Sequence, residues 1–158
     1  MQASAGISIR RFTDEDAPDV SRLILADLWQ INARDYGTVA VNALAHGYTP
    51  ERLRQYARQG AIYVALLAGE IAGTASLQGD RVRNVFVRVD CHKQGIGTAL
   101  MQHVEKMAQQ QGIKRLFLLA NLAAVDFYHN LGYVSITEIT EPIGPTVLTL
   151  VRMEKALS

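Results

Sequence analysis

The sequence predicts a mixed α/β protein with one mostly antiparallel central sheet and helices on both faces. Three apolar segments, at 61–68, 71–77 and 82–89, are separated only by short turns containing glycine. Strands joined so tightly must run antiparallel. A helical pattern then separates the third segment from a short buried one at 116–120, which predicts a parallel pair with a right-handed crossover. Helical patterns before and after these segments predict the covering layers of a sandwich.

The first third of the chain contains one predicted strand and two predicted helices. Residues 7–12 alternate in polarity, which indicates a strand. Thr13 and the three acids after it form a helix-start signal, and apolar residues at helical spacing extend this helix over 14–31. The weaker pattern of 32–47 predicts a loop with a helical piece. A threonine, a proline and an acid then begin a short helix at 49–60, which a glycine ends.

The second half of the chain alternates helices with strands. A helix is predicted over 96–111, where apolar residues recur at helical spacing and a glycine follows. A further helix is predicted from Asn121 to Gly132. The alternating segment 133–139 and the segment 146–153 predict two final strands, with a proline-containing turn between them.

Composition limits the class of protein. The chain has 158 residues, of which 49% are hydrophobic and 20% charged, and this composition is typical of one globular domain spanning 1–158. A formal charge of +1 predicts no general affinity for nucleic acid or for an anionic membrane. A single cysteine, Cys91, excludes an internal disulfide framework. With no signal peptide or membrane-spanning run in the sequence, we expect a cytoplasmic protein.

The most informative stretch is a glycine loop between a strand and a helix. Gly95 and Gly97 follow the apolar run that ends near Val87 and precede the helix at 96–111. Backbone N–H groups and the helix dipole make such a junction suitable for phosphate. Leu100 stands where a dinucleotide-binding fingerprint requires a third glycine. Thr98 and the alanine after it do not supply the Lys-Ser/Thr pair of a Walker loop.

Two motifs in this order resemble the GCN5-related N-acetyltransferase (GNAT) family. The family's loop Q/R-x-x-G-x-G/A, which holds the pyrophosphate of acetyl-CoA, corresponds to His92-Lys93-Gln94-Gly95-Ile96-Gly97. Its later asparagine, alanine, Phe-Tyr and Gly-Phe/Tyr correspond to Asn121, Ala124, Phe127-Tyr128 and Gly132-Tyr133. The order of elements also agrees over nearly the whole chain. The resemblance implies a GNAT-like acyl-CoA N-acyltransferase fold with acetyl-CoA as co-substrate.

The resemblance also implies roles for individual residues. The loop from His92 to Thr98 would hold the pyrophosphate, although His92 replaces the family's Gln or Arg. The backbone of Val87 and Val89 would pair with the pantetheine arm. Asn121 would cap a helix, contact the pantetheine, or do both. Tyr128 would be the general acid that protonates the departing thiolate.

Other functional assignments stay open at this level. The amine acceptor is a small molecule or a peptide, and Asp35 and Tyr36 lie where the family builds its acceptor pocket. No residue is identified as the general base. The histidines lack metal-ligand spacing, so no metal is expected. A homodimer is an option on family grounds. The alternatives are a non-catalytic CoA-binding sensor or regulatory module and, less compatible with the loop, a dinucleotide-binding enzyme.

Overall fold

The computed structural model describes residues 6–158, except for the side chains of residues 31, 32 and 35. Seven strands form one open sheet in the order β1-β2-β3-β4-β5-β7-β6. All neighbouring strands are antiparallel except β4 and β5, which run parallel. The strands are β1 Ile7–Arg11, β2 Ala61–Leu67, β3 Glu70–Gln78, β4 Arg81–Val87, β5 Arg115–Asn121, β6 Val134–Ile143 and β7 Thr146–Ala156. The predicted sheet, including its parallel pair, is confirmed.

Over the described residues, five α-helices cover the two faces of this sheet, one more than the four that the sequence predicts. Three lie between β1 and β2, one connects β4 to β5, and one follows β5. They are α1 Ala17–Asp27, α2 Ala33–Ala45, α3 Pro50–Gln59, α4 Ile96–Gln110 and α5 Val125–Asn130. The predicted cap of α3 is present, since the hydroxyl of Thr49 accepts a hydrogen bond from the backbone N–H of Arg52 at 3.2 Å.

The region predicted as a loop at 32–47 is instead largely helical. A π-helical turn, Leu28–Asn32, continues α1 directly into α2. Gly37 interrupts α2 with a positive φ of 81°, which breaks the apolar periodicity that sequence analysis relies on. Ala40 and Val41 are nevertheless completely buried, in two different apolar clusters. Burial against the sheet therefore stabilises a helix that its local pattern indicates only weakly.

Each face of the sheet has its own apolar core. Residues of α1, α2 and α3, including Ile24, Val41 and Leu53, pack on one face. The other face packs against α4 and α5, with Leu100 and Val104 fully buried. We call these the α2 face and the α4 face. Packing of these buried residues holds α4, and the loop before it, at a fixed position on the sheet.

Gly73 in β3 allows α4 to lie unusually close to the sheet. A Cβ atom at this position would meet the side chains of Ile96 and Leu100 at 2.9 Å each, and the Phe86 carbonyl oxygen at 3.2 Å. These distances are too short for any residue larger than glycine without displacement of the helix. Because Ile96 is the first residue of α4, this contact sets the depth of the helix N-terminus.

The strands β4 and β5 separate soon after they meet. Their only paired residues are Arg81 and Phe117, at the start of each strand. Beyond that point β4 contains a bulge, because its register with β3 shifts between Thr74 and Ser76, and Asn84 has a positive φ of 56°. A bulge bends the strand and increases its twist. The two strands therefore diverge toward their carboxyl ends and leave a gap in the sheet.

Candidate active site

A cleft of about 240 Å³ occupies the gap between the two diverging strands. Arg81–Phe86 of β4 and Leu118–Asn121 of β5 form its two long walls. Helical residues line it from both faces of the sheet, among them Tyr36 of α2 and Tyr128 of α5. The cleft thus reaches both the α2 face and the α4 face, so two molecules entering from opposite faces can meet inside it.

The glycine loop places an uncapped helix N-terminus beside this cleft. Gly95 is the N-cap of α4, with the left-handed conformation φ 84° and ψ 6° that favours glycine. Its carbonyl accepts the first helical hydrogen bond, from the N–H of Ala99 at 3.0 Å. The N–H groups of Ile96, Gly97 and Thr98 precede that bond, and no side chain caps this end of the helix. Three donors and a helix dipole are therefore available to an anion such as a pyrophosphate.

Gly97 adds a second constraint on this junction. A Cβ atom at this position would lie 3.1 Å from the ring of Phe127 and 3.7 Å from the side chain of Val87. A small residue therefore lets α4, α5 and β4 converge at the mouth of the cleft. The two predicted loop glycines thus have different structural roles. Gly95 provides a left-handed helix cap, and Gly97 allows neighbouring elements to approach closely.

His92, which stands where the family has Gln or Arg, points back toward β4. Its ring nitrogen Nε2 lies 3.0 Å from the carbonyl oxygen of Val87 and 3.3 Å from Oδ1 of Asp27 on α1. The carbonyl can only accept, so Nε2 donates the hydrogen bond. Burial raises the pKa of the Asp27 carboxyl, and the nearby His92 opposes that increase. The histidine therefore ties the loop to β4, whereas Oδ1 of Asp27, although 3.3 Å away, accepts no hydrogen bond from any described residue.

The backbone of Val87 is turned toward the cleft side of β4. The N–H of Arg88 donates to the Ala72 carbonyl on β3 at 2.8 Å. Because successive residues of a strand direct these groups to opposite sides, the N–H and C=O of Val87 face away from β3. With the Val87 carbonyl bound by His92, its N–H remains the group directed to the open side of the strand. Val89, in contrast, is not a strand residue as predicted, because β4 ends at Val87 and Val89 begins a 3-10 turn.

The other predicted loop residues lie at the surface of this junction. Lys93 is exposed, with a positive φ of 66°. Gln94 is also exposed, and its side-chain amide lies 3.5 Å from the Asp90 carbonyl. Cys91 is buried next to the loop, and burial raises the pKa of its thiol. A thiol held in its protonated form is a poor nucleophile.

Tyr128 lines the cleft on the α4 face, and the residue is only 7% exposed. Its ring packs edge-on against Phe127 and Tyr133, with ring centres 5.0 and 5.9 Å away. Burial, and secondarily the nearby Tyr36, raises the pKa of its phenol above the ordinary value. The hydroxyl therefore stays protonated throughout the neutral range and can only lose its proton to a strongly basic group.

Tyr48 and Tyr36 approach the cleft from the opposite side. The hydroxyl of Tyr48 donates to Oδ1 of Asn84 at 2.8 Å, and its ring packs edge-on against Phe86 at 5.6 Å. This contact connects the segment before α3 to the β4 bulge. Burial raises the pKa of Tyr48 to about 12. The side chain of Asp35, expected near Tyr36, lies outside the described residues.

Asn121 is the helix cap that the sequence predicts. Its Oδ1 accepts a hydrogen bond from the N–H of Ala124 at 2.9 Å, and the residue also lines the cleft at the end of β5. The amide nitrogen of Asn121 takes no part in the cap, so its N–H groups remain available as donors at the cleft wall.

Several residues at the cleft are not identified by sequence analysis. Asn84 lies within an apolar strand pattern. Asp27, which lies beside His92 and does not line the cleft, falls within the helical pattern of α1. Arg81 and Arg83 alternate with Val82, which predicts a polar face of the strand. The sequence does not show that this face borders a gap in the sheet. Glu141 comes from β6 and joins the cleft only through the tertiary fold.

Two further properties concern the chain as far as the structure describes it. Over residues 6–158, no three His, Cys, Asp or Glu side chains are grouped so as to hold a metal ion. Among those residues there is also no helix of sufficient length and apolarity to cross a membrane.

A sheet that opens beside an uncapped glycine loop, with a cleft accessible from both faces, is the architecture of acyltransferases that use coenzyme A thioesters. Comparison with known proteins agrees with this class. The sequence model of the acetyltransferase (GNAT) domain matches residues 32–157, and the chain belongs to that family. Membership in it supports acyl transfer from a CoA thioester in general.

Solved structures confirm the fold. A GCN5-related N-acetyltransferase from Rhodopseudomonas palustris is 28% identical, with a TM-score of 0.90 and 95% of each chain covered. The PaiA N-acetyltransferase from Thermoplasma acidophilum, solved with coenzyme A, is 18% identical, with a TM-score of 0.77 over 95% of this chain and 98% of the other. YncA, a putative acetyltransferase from Salmonella typhimurium solved with acetyl-CoA, is 18% identical, with a TM-score of 0.69 over 97% and 95%.

Proposed function

We propose that the protein is a single-domain N-acetyltransferase that transfers the acetyl group of acetyl-CoA directly to an amine. The observation that supports this most is the cleft through the sheet, which β4 and β5 enclose and which Tyr36, Tyr48 and Tyr128 line. The uncapped N-terminus of α4 follows the end of β4 in the chain. A donor and an acceptor entering from opposite faces would meet at Tyr128 without any covalent intermediate on the protein. Such alignment of two reactants accounts for much of the rate gain available to a bimolecular transfer.

The residues of the loop fit the cofactor that this function needs. The N–H groups of Ile96, Gly97 and Thr98 would hold the pyrophosphate, and the Val87 N–H would bind the pantetheine arm as an added strand does. When bound, the thioester supplies an acetyl group activated for transfer to nitrogen. Lys93 adds a mobile positive charge at the entrance, and the Asn121 amide supplies a donor on the opposite wall.

Tyr128 has the protonation state that a general acid requires. An ordinary tyrosine already carries its proton at neutral pH, and the raised pKa of Tyr128 makes transfer of that proton to a thiolate less favourable. The assignment therefore rests on the position of the buried hydroxyl in the cleft and not on its pKa. A donor in a protected cleft stabilises negative charge that develops near it more strongly than the same donor would in water. Cys91 is a less suitable participant, because its thiol is buried and protonated outside the cleft.

The function is tested by measuring release of free thiol from acetyl-CoA in the presence of a panel of primary amines, together with mass spectrometry of the product. We expect amine-dependent release and an acetylated amine. Calorimetric titration with acetyl-CoA is the necessary companion measurement. Tight binding with no turnover of any amine would instead indicate the CoA-binding sensor, and absence of binding would contradict both functions.

A further inference from the structure

The α2 face of the cleft carries an excess of positive charge close to the strand junction. Arg81 and Arg83 of β4 both line the cleft, whereas Glu141 of β6 is the only acidic residue among the lining residues that the structure describes. Val82, between the two arginines, is buried in the core of the α4 face. Because side chains alternate along a strand, the two arginines lie on the α2 face, where we expect the acceptor to enter.

Arg81 has an unusual lack of hydrogen bonding for a half-buried cationic group. Its Nε atom is buried, and no residue of the described chain accepts a hydrogen bond from it. It also forms no ion pair within 4.0 Å with any described carboxylate, and its only close aromatic contact is Phe117, whose ring centre lies 5.9 Å from Cζ. Buried polar groups without partners are rare in folded proteins and indicate a ligand or ordered water.

The neighbouring charges do not neutralise this guanidinium. Arg152 also stacks on Phe117, at 4.0 Å, and its Nε donates to Glu154 at 2.9 Å. Glu154 is shared with Arg115, at 3.5 Å. That carboxylate is therefore already used, and among the side chains that the structure describes, which exclude Asp35, Glu141 is the one acid left to offset Arg81. Burial, then the positive charge of Arg83, lowers the pKa of Arg81, and Glu141 opposes this change only in part.

We infer that the acceptor is a small amine that also carries a carboxylate, and that Arg81 binds this carboxylate. The inference rests on the proposed function and specifies its substrate class. The Nε–H of Arg81 is enclosed by protein, so the contact would come from the terminal N–H groups of this half-buried side chain, which lines the cleft. Two such groups on a planar guanidinium can bind both oxygens of a carboxylate in a bidentate manner. The cavity volume of about 240 Å³ is smaller than most sites for drug-sized ligands, so a compact acceptor suits it.

Matched pairs of amines test this inference by binding rather than by turnover. Suitable pairs are phenylalanine with phenethylamine and 4-aminobutyrate with butylamine, each titrated into protein saturated with CoA. The wild-type protein should bind at least one carboxylated amine about 10- to 100-fold more tightly than its partner, the range expected for hydrogen bonds to a charged group. Arg81→Gln should abolish that preference without changing affinity for the partner that lacks a carboxylate or for CoA.

Arg58→Gln is the control, since this arginine is exposed on α3 and does not line the cleft. It should change the preference by no more than about threefold, as expected for a solvent-exposed charge. Arg81→Lys separates charge from geometry, because lysine keeps the charge but not the planar pair of donors. We expect it to recover only part of the preference.

Three outcomes would overturn the inference. They are equal binding of the two members of every pair to wild type, equal weakening of both members by Arg81→Gln, and absence of binding by all four amines at millimolar concentration. The CoA titration distinguishes these from failure of the proposed function. If the wild-type protein binds CoA but shows no preference for carboxylated amines, only the substrate class is refuted. If it does not bind CoA, the proposed function itself is refuted.

Discussion

The ring of His92 and the carbonyl of Val87 are joined by a 3.0 Å hydrogen bond across the loop that connects β4 to α4. The same ring nitrogen lies 3.3 Å from the buried carboxylate of Asp27. A residue that departs from the family pattern thus has a defined structural use, since its hydrogen bond fixes the loop against the strand. This relationship explains how the loop can keep its shape without the family's Gln or Arg.

We therefore expect His92→Ala to weaken acetyl-CoA binding about five- to tenfold, which corresponds to loss of one hydrogen bond. His92→Gln should stay within about twofold of wild type, because its amide keeps an N–H donor. His129→Ala is the control, since His129 is exposed on α5 and contacts only Ser135 through its ring nitrogen, at 2.9 Å. Calorimetric titration measures all three, and unchanged affinity in His92→Ala would refute the role given to this residue.

Tyr128→Phe should lower kcat by about 10²-fold or more while leaving the Kd for acetyl-CoA unchanged. The matched control is Tyr133→Phe, because that hydroxyl donates to Glu105 at 2.9 Å, on the far side of the aromatic pair. It should reduce stability by about 1 kcal/mol and leave kcat within about threefold. Equal rates for wild type and Tyr128→Phe would remove Tyr128 from the mechanism.

The raised pKa of Tyr128 also predicts a pH profile. The phenol of an ordinary tyrosine loses its proton near pH 10. Because burial moves the Tyr128 pKa upward, its protonated form persists beyond that pH. Initial rates measured from pH 7 to about pH 9.5 should therefore depend on pH in the same way in the wild type and in Tyr128→Phe. A decrease present only in the wild type would show that the phenol ionises early and contradict the assignment.

Tyr48→Phe should be less stable than wild type at pH 8 by about 1 kcal/mol, since Asn84 loses its hydrogen-bond donor. The folded-state pKa of Tyr48 is about 12, and the unfolded value is about 10. The stability from a raised pKa is complete below the unfolded value and is lost as pH rises toward the folded value. The wild type should therefore lose more stability than the variant between these two pH values. Urea denaturation at several pH values measures this difference, and parallel curves would contradict it.

Gly73→Ala should destabilise the protein by about 1–3 kcal/mol, because the added methyl group would displace α4 from the sheet. Since Ile96 begins that helix, acetyl-CoA affinity should decrease as well. Gly47→Ala is the matched control, because a Cβ atom there meets nothing closer than 3.4 Å and its φ is not positive. Thermal denaturation and calorimetric titration provide the two measurements. A stable Gly73→Ala variant with normal affinity would show that the close packing is dispensable.

Features set by neighbours in sequence could be predicted, and those set by distant contacts could not. The meander, the cap at Thr49 and the glycine junction at Gly95 depend on residues a few positions apart. The helix at 33–45 could not be predicted, because Gly37 interrupts its pattern and burial of Val41 against distant residues stabilises it. The apolar run that continues to Val89 predicts a strand there, although the chain turns after Val87.

The candidate site divides in the same way. Tyr128 and Asn121 belong to short motifs that the sequence displays, and the structure places both at the cleft. The contact between Tyr48 and Asn84 joins residues 36 positions apart, and Glu141 reaches the cleft only because β6 lies at the sheet edge. Such contacts depend on topology, so residues that determine acceptor choice are less accessible to sequence analysis than those that hold the cofactor.

A crystal structure of the protein with acetyl-CoA tests the central claim most directly. We predict the pyrophosphate within hydrogen-bond distance of the N–H groups of Ile96, Gly97 and Thr98, and the pantetheine arm along Val87 between β4 and β5. The thioester should lie beside the Tyr128 hydroxyl. Binding of the cofactor outside the cleft, or with its pyrophosphate away from the N-terminus of α4, would contradict the account.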